Sequence, residues 1–249
     1  MKKPFALITR PSTEAAKTAE RLSFMGVDSF IEPLLNIEFL TNAEKIFSPL
    51  MRGKPQAVIT TSGNGILALN KFNCPKEISL YTVGSDSTEI AKSCGFTNIT
   101  SASGGVDSLI QLISKKIKPL SGYLIYISAE TTSKDLPGAL QENGFEVHNI
   151  VAYKANPVPA FSQECLNHIK YKVFDCVLFF SKRTTETFLD LIDKNNLSEL
   201  VKDLRYICLS ENVSEPLKKR SFNNIMIAKN ADSDSLLELI NNFEFTKDR

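Results

Sequence analysis

Six short apolar runs in this chain end on small hydroxyl, glycine or cationic residues, and together these ends could grip a ligand bearing several carboxylates. The ends are Thr9-Arg10, Thr61-Ser62-Gly63-Asn64, Gly84-Ser85, Ser128, Ser181-Lys182-Arg183 and Ser210. At the carboxyl ends of parallel strands, unpaired N–H groups and the positive end of the following helix favour anions. Hydroxyls add donors there without adding charge. Lys182 and Arg183 supply positive charge, and Arg183 can hold a carboxylate through two N–H groups at once. A Ser, Thr or Asn after a strand also serves as a plain helix cap, so the argument rests on repetition at six ends. Tyr153 lies in an extended connector and is placed to act as an acid. Its plainer role is that of a strand aromatic packed on a sheet face.

The elements that must position these residues come in pairs. Residues 5–9 pair with 124–128, residues 57–62 with 176–181, and residues 80–84 with 206–210, each a strand-like run entering a helical stretch. The third pair keeps register beyond the strand. Glu89, Phe96 and Ile99 match Glu215, Phe222 and Ile225 at a constant offset, and Asp107-Ser108-Leu109 matches Asp234-Ser235-Leu236 after one inserted residue. Alternating strands and amphipathic helices predict βαβ units and parallel sheets.

Pro11 and Ser12 predict a helix start, with Ala15, Ala16, Ala19 and Leu22 as its stripe and Gly26 as its stop. Asp86 or Ser87 is expected to cap a helix ending at Gly95, Asp107 to cap one over 108–117, and Asp234 to cap one near the C-terminus. Asn64-Gly65 would suit a hairpin turn, but Ile66, Leu67 and Leu69 continue it better as a helix. Stretches 30–40 (with Pro33) and 145–157 break the rhythm. Both read as connectors that pair with one another as a two-stranded hinge. The unit order fits two consecutive halves, or a first unit that crosses over to complete the C-terminal half.

A length of 249 residues agrees with two domains of roughly 150 residues each. The net charge of +1 argues against nucleic acid or an anionic membrane as partner, since both want a basic face. The apolar run after Lys2 and Lys3 stops at Thr9-Arg10, too soon for a signal-peptide core. No later run reaches the ~18 apolar residues of a membrane span. Cys74, Cys94, Cys165, Cys176 and Cys208 form no CxxC pair and suit a reduced, cytoplasmic setting. His148 and His168 lack ligand-like spacing, so no metal is expected. Gly84-Ser85-Asp86-Ser87 is not a P-loop, and neither a GxGxxG nor a GxSxG motif is present. What remains is an enzyme working without cofactor, or a non-catalytic two-domain binding module or sensor for a small polycarboxylate.

One resemblance covers essentially the whole chain. Leu7-Ile8-Thr9-Arg10-Pro11, Pro33-Leu34-Leu35-Asn36-Ile37, Thr61-Ser62-Gly63-Asn64-Gly65, Val83-Gly84, Tyr126-Ile127, Val151-Ala152-Tyr153 and Phe179-Phe180-Ser181 follow one another in this order. In order and spacing the sequence resembles the uroporphyrinogen-III synthase family. The resemblance implies an α/β fold of two similar parallel-sheet, flavodoxin- or Rossmann-like domains, joined by a two-stranded β linker and flanking a cleft. It selects the crossed-over partition, with residues 1–36 and 158–249 in one domain, 41–149 in the other, and linker strands near 33–40 and 150–157.

The implied activity is that of a lyase of heme and tetrapyrrole biosynthesis. Hydroxymethylbilane, a linear tetrapyrrole rich in carboxylates, is cyclised to uroporphyrinogen III with loss of water and inversion of the last pyrrole ring through a spirocyclic intermediate. No cofactor and no metal are implied. The family's tyrosine falls on Tyr153, whose phenol, with an ordinary pKa near ~10, is protonated at neutral pH and can donate. The residues expected to hold substrate are Thr61, Ser62, Asn64, Gly84, Ser85, Ser87, Ser128, Ser181, Lys182, Arg183, Ser210 and Asn212. The sequence departs from the family's pattern in three places. Its hydroxyl after the third strand becomes Ser87 in one copy. In the other copy Ser210 replaces the glycine and Val213 the hydroxyl, leaving Asn212 nearby. The usual arginine-glycine after Ile127 is Ser128-Ala129. The expected protein is a cytoplasmic monomer that receives hydroxymethylbilane from the preceding pathway enzyme.

Overall fold

The structure, a computed structural model, describes residues 3–103 and 105–241. The chain opens with β1 (Phe5–Ile8), α1 (Ser12–Phe24) and β2 (Asp28–Ile31). There follow β3 (Leu35–Phe39), α2 (Ala43–Arg52), β4 (Ala57–Thr60), α3 (Gly63–Lys71), β5 (Leu80–Val83), α4 (Gly84–Ser93), β6 (Ile99–Ala102) and α5 (Val106–Lys116). The middle closes with β7 (Leu124–Ala129), α6 (Leu136–Glu142) and the long β8 (Val147–Pro157). The last third holds α7 (Gln163–Lys170), β9 (Cys176–Phe179), α8 (Lys182–Lys194), α9 (Ser198–Val201), β10 (Arg205–Cys208), α10 (Glu211–Lys219), β11 (Ile225–Ile227) and α11 (Ser233–Asn241).

Two units result, one from residues before 37 and after 155, the other from 37–155. The first unit holds a sheet in the order β2-β1-β9-β10-β11, with every pair parallel. The second holds parallel strands β8-β7-β4-β5-β6, with β3 beside β8 at the edge. The Leu40 N–H donates to the Ala152 carbonyl at 2.9 Å and the Val158 N–H to that of Leu34 at 3.0 Å, so β3 and β8 run antiparallel. Counted from β1 in the first unit and from β7 in the second, both sheets have the flavodoxin-like order 2-1-3-4-5. The paired runs of the sequence (β1 and β7, β4 and β9, β5 and β10) thus occupy equivalent places in the two sheets.

Helices on both faces explain why these strands lack polar alternation. In the first unit Leu7, Val177, Phe179 and Tyr206 pack on Phe188 and Leu189 of α8 and Leu217 of α10. Ala6, Ile8, Leu178 and Ile207 pack on Leu22 of α1 and on Leu236 and Leu237 of α11. In the second unit Val58, Ile125 and Ile127 meet Phe47 of α2 and Ile66 and Leu69 of α3. Ile59, Leu124 and Tyr126 meet Leu109 and Ile113 of α5 and Leu136 and Leu140 of α6. Each such Val, Leu, Ile or Phe side chain taken fully from water contributes about 1.5–3 kcal/mol.

Local chemistry sets the boundaries, and several depart from expectation. Of the stripe expected for α1, Ala15 and Leu22 are fully buried and Ala19 is half-buried, but Ala16 is exposed; Gly26 at φ +76 turns the chain beyond the helix. The Val27 N–H then donates to the Leu22 carbonyl at 2.9 Å, closing the helix end. α4 starts at Gly84 itself, so Asp86 and Ser87 lie in its first turn and do not cap it; Gly84 at φ +79 turns the strand directly into the helix. α5 starts at Val106 after Gly105 at φ +86, so Asp107 is likewise inside. Asp232, not Asp234, caps α11 by accepting from the Ser235 N–H at 2.7 Å. Residues 30–40 are not one strand. Phe30 and Ile31 belong to β2, and the break falls at Pro33, which has no N–H to give a ladder. Glu32 beside it is buried and accepts from the Ser162 N–H at 2.5 Å and hydroxyl at 2.8 Å.

Candidate functional site

At the end of β4 the chain turns at Ser62, extended at φ −148 and ψ 157, into α3. The Ser62 hydroxyl oxygen accepts from the Gly65 N–H at 3.2 Å, satisfying one of the donors every helix N-terminus leaves over. Asn64 is half-buried in this first turn.

Tyr153 reaches the same spot through an irregularity in β8. Ser128 pairs with Val151 but Ala129 with Tyr153, so Ala152 is an extra residue, a β-bulge. The bulge turns Tyr153 onto the face that also carries Ile150 and Ala152. Its ring is 7% exposed. Its hydroxyl oxygen lies 2.7 Å from Ser62 Oγ. The structure therefore brings together two of the sequence-predicted residues, an expected acid and a helix cap.

The other face of this sheet carries a second set. Thr61 Oγ1 lies 3.4 Å from the hydroxyl of Tyr126, a residue named in the resemblance but not among the expected site residues. Burial pushes the Tyr126 phenol up, and the bond to Thr61 draws it partly back. Ser128 stands two residues along β7, hence on the same face. It is 2% exposed, and its hydroxyl finds no hydrogen-bond partner among the described residues. Strand alternation from Ser128 was the signal that could have found Tyr126. Thr61 and Ser62, adjacent in sequence, thus serve opposite faces.

At α4 a Cβ on Gly84 would meet nothing within 4 Å, so the space beside this turn is open. The Gly84 carbonyl accepts from the hydroxyls of Thr88 at 2.9 Å and Ser101 at 3.2 Å. Ser85 is exposed, whereas Ser87 is turned into the protein.

In the first unit Ser181 caps α8, its oxygen accepting from the Thr184 N–H at 3.2 Å and lying 2.7 Å from the Thr184 hydroxyl. Lys182 is committed to α10: its ammonium lies 2.6 Å from Glu215 Oε2, while Lys219 takes Oε1 at 2.7 Å. Hydrogen bonds from Lys182 and Lys219 hold the Glu215 carboxyl down at about 2, and the bond to Glu215 raises Lys182. Arg183 is half-buried; its carbonyl accepts from the Thr187 hydroxyl at 2.9 Å, while its guanidinium has no ion-pair or hydrogen-bond partner among the described residues. Ser210 precedes α10 without capping it through its side chain; Asn212 is exposed in the first turn, and Val213 is buried. Thr9 and Arg10 serve the fold. Thr9 donates to the Leu178 carbonyl at 2.7 Å, and the buried Arg10 guanidinium stacks 4.0 Å over Phe180 and pairs with Glu14 at 3.2 Å.

Both units thus present hydroxyls and helix N-termini at the carboxyl ends of their strands, and the first unit adds the cations Lys182 and Arg183, an arrangement suited to binding carboxylates. Among the described residues no three His, Cys, Asp or Glu side chains group as a metal ion would require, and no helix is long and apolar enough to cross a membrane.

Residues 16–238 match the family model described as Uroporphyrinogen-III synthase HemD. No curated protein matches the chain by sequence. Among solved structures the chain is similar to uroporphyrinogen-III synthetase from Helicobacter pylori, at 14% identity over 96% of this chain and 98% of that one, with a TM-score of 0.61. It is also similar to a mutant uroporphyrinogen III synthase from Thermus thermophilus, at 14% identity over 95% of this chain and 97% of that one, with a TM-score of 0.54. These likenesses show the fold, a mixed α/β architecture with parallel sheets. The family model spans most of the sequence, and so the chain belongs to the uroporphyrinogen-III synthase family.

Proposed function

We propose that this protein cyclises hydroxymethylbilane to uroporphyrinogen III as a lyase, with Tyr153 as the acid. Membership of the family supports the activity. The observation that carries the residue assignment is the Tyr153 hydroxyl, held 2.7 Å from the cap of α3 in a unit whose strand ends are rich in neutral donors.

The Tyr153 hydroxyl gives its proton to the terminal hydroxyl of the substrate, the carbon–oxygen bond breaks, and water leaves. The cation-like chain that remains can close spontaneously without inverting its last ring. The protein must therefore hold the chain folded with that ring reversed until the spirocyclic intermediate forms, which is catalysis by orientation and exclusion of water. The N-terminus of α3 with Ser62 and Asn64, the open turn at Gly84 and Ser85, Arg183 at α8, and Ser210 with Asn212 at α10 are the proposed carboxylate contacts. All five cysteines are free thiols, which suits a reducing cytoplasm.

Tyr153→Phe tests the assignment. Turnover to the III isomer should fall by about 10²-fold or more, with the circular dichroism and melting temperature unchanged. Full activity in that variant rejects the role.

A further inference from the structure

We infer that Thr61, Tyr126 and Ser128 form a subsite for one carboxylate of the substrate, beneath the loop that leaves β7. The inference rests on the reading of the protein as a hydroxymethylbilane cyclase and deepens it, adding Tyr126 to the residues that hold substrate.

β7 and β4 are the first and third strands of a flavodoxin-like order, and such a sheet binds ligands in the crevice outside the carboxyl ends of these two. The crevice opens because α6, after β7, packs on one face and α3, after β4, on the other. Ile59 pairs with Tyr126 and Thr60 with Ile127, and the same register carried one step on sets Thr61 beside Ser128. Strand alternation puts Tyr126 and Ser128 on the face that α5 and α6 cover. Thr61 Oγ1, 3.4 Å from the Tyr126 hydroxyl, joins them there.

These hydroxyls have little to bind in the free protein. Ser128 is 2% exposed, and its hydroxyl has no partner among the described residues. The Tyr126 hydroxyl, equally buried, has the 3.4 Å contact with Thr61, near the outer limit of a hydrogen bond. A buried hydroxyl without a partner costs free energy, so its presence at a ligand crevice points to an acceptor that arrives from outside. Hydroxyl hydrogens rotate, and all three can turn onto one anion whichever of them donates beforehand. Burial raises the Tyr126 phenol, which keeps its hydrogen at neutral pH. Hydrogen bonds to an ionised acceptor are roughly twice as strong as neutral ones, and the substrate is rich in carboxylates.

The loop over the subsite can open. It leads to Leu136, where α6 begins on this same face, and residues 130–135 are exposed throughout. Lys134 of the loop pairs with Asp107 of α5, and the Glu130 carboxylate lies 2.8 Å from the Lys154 ammonium of β8. Both are surface ion pairs, which add little to stability, so the loop lifts at small cost.

The test measures melting temperature, kcat and KM for hydroxymethylbilane in Ser128→Ala, Tyr126→Phe and the double variant. Ser128→Ala removes a hydroxyl that makes no bond in the free protein, so the melting temperature should be equal or higher. KM should nonetheless rise about 10-fold, with kcat within about twofold, as loss of a ground-state contact requires. Tyr126→Phe gives up a long contact only and should behave alike. In the double variant the rise in KM should fall short of the product of the two, because both hydroxyls grip one carboxylate. Dominant III isomer from the unaltered protein, with KM unchanged in both single variants, overturns the subsite alone. A lower melting temperature at unchanged KM makes Ser128 the seat of a buried structural water and overturns the subsite too. Rises that multiply in full overturn the shared grip. A product mixture from the unaltered protein that matches the spontaneous I isomer overturns the cyclase reading and the subsite with it.

Discussion

A Cβ added at Gly65 would lie 1.8 Å from Thr60 Oγ1 and 2.9 Å from Thr60 Cβ, so the first turn of α3 rests directly on the end of β4. Only glycine permits that approach. Gly65→Ala should push the helix start outward, separate Ser62 from Tyr153, and destabilise the protein by about 1–3 kcal/mol. Urea midpoints and turnover measured together should fall together.

Lys182 and Glu215 give a prediction with a sign. If Lys182 also contacts substrate carboxylates, Glu215 competes for it, and Glu215→Gln should lower KM about twofold to fivefold by releasing the ammonium. The folded Glu215 carboxyl is depressed from its ordinary 4.5 to about 2. A depressed carboxyl contributes stability that is complete above the unfolded value and is lost as pH falls through the folded one. The melting-temperature difference between the protein and Glu215→Gln should therefore hold above pH 4.5 and vanish as pH approaches about 2.

Much of this was written in the sequence, and what was not has physical reasons. The continuous apolar runs announced strands covered on both faces, and the paired runs announced two similar α/β units, though not the order of strands in either sheet. Ser62 and Ser181 looked like caps and are caps. The bulge at Ala152 depends on pairing with β7, which no local pattern records. The commitment of Lys182 to Glu215 likewise arises only where α8 packs on α10. Asp86 and Asp107 misled as caps because glycines at positive φ, Gly84 and Gly105, start those helices earlier. Stretch 30–40 was read as one connector, although Pro33, with no N–H for a ladder, marks where β2 and β3 separate.

The cysteines should react in a fixed order. Burial pushes the Cys74, Cys176 and Cys208 thiols up to about 12 and raises Cys165 as well, so none offers a thiolate near neutrality. Cys94 is the half-buried one. An aromatic disulfide reagent at pH ~8 should titrate one thiol rapidly in the native protein, and all five after unfolding. Peptide mapping should place the fast site at Cys94.

Tyr206 tests the fold separately from the chemistry. Its hydroxyl donates to the Val201 carbonyl at 2.7 Å in a fully buried setting. Tyr206→Phe leaves that carbonyl without its donor and should cost about 1–3 kcal/mol of stability with turnover unchanged. Burial raises the Tyr206 phenol, so what this tyrosine adds to stability is complete below its ordinary value near 10 and is lost as pH climbs toward the folded one. An alkaline melt comparing Tyr206→Phe with the unaltered protein should show the difference closing at high pH.

The central claim is ring inversion, and product composition tests it most directly. Freshly made hydroxymethylbilane is given to the purified protein, the products are oxidised, and the porphyrin isomers are separated beside a protein-free control. The account predicts a dominant III isomer. A mixture matching the spontaneous I isomer of the control would contradict it.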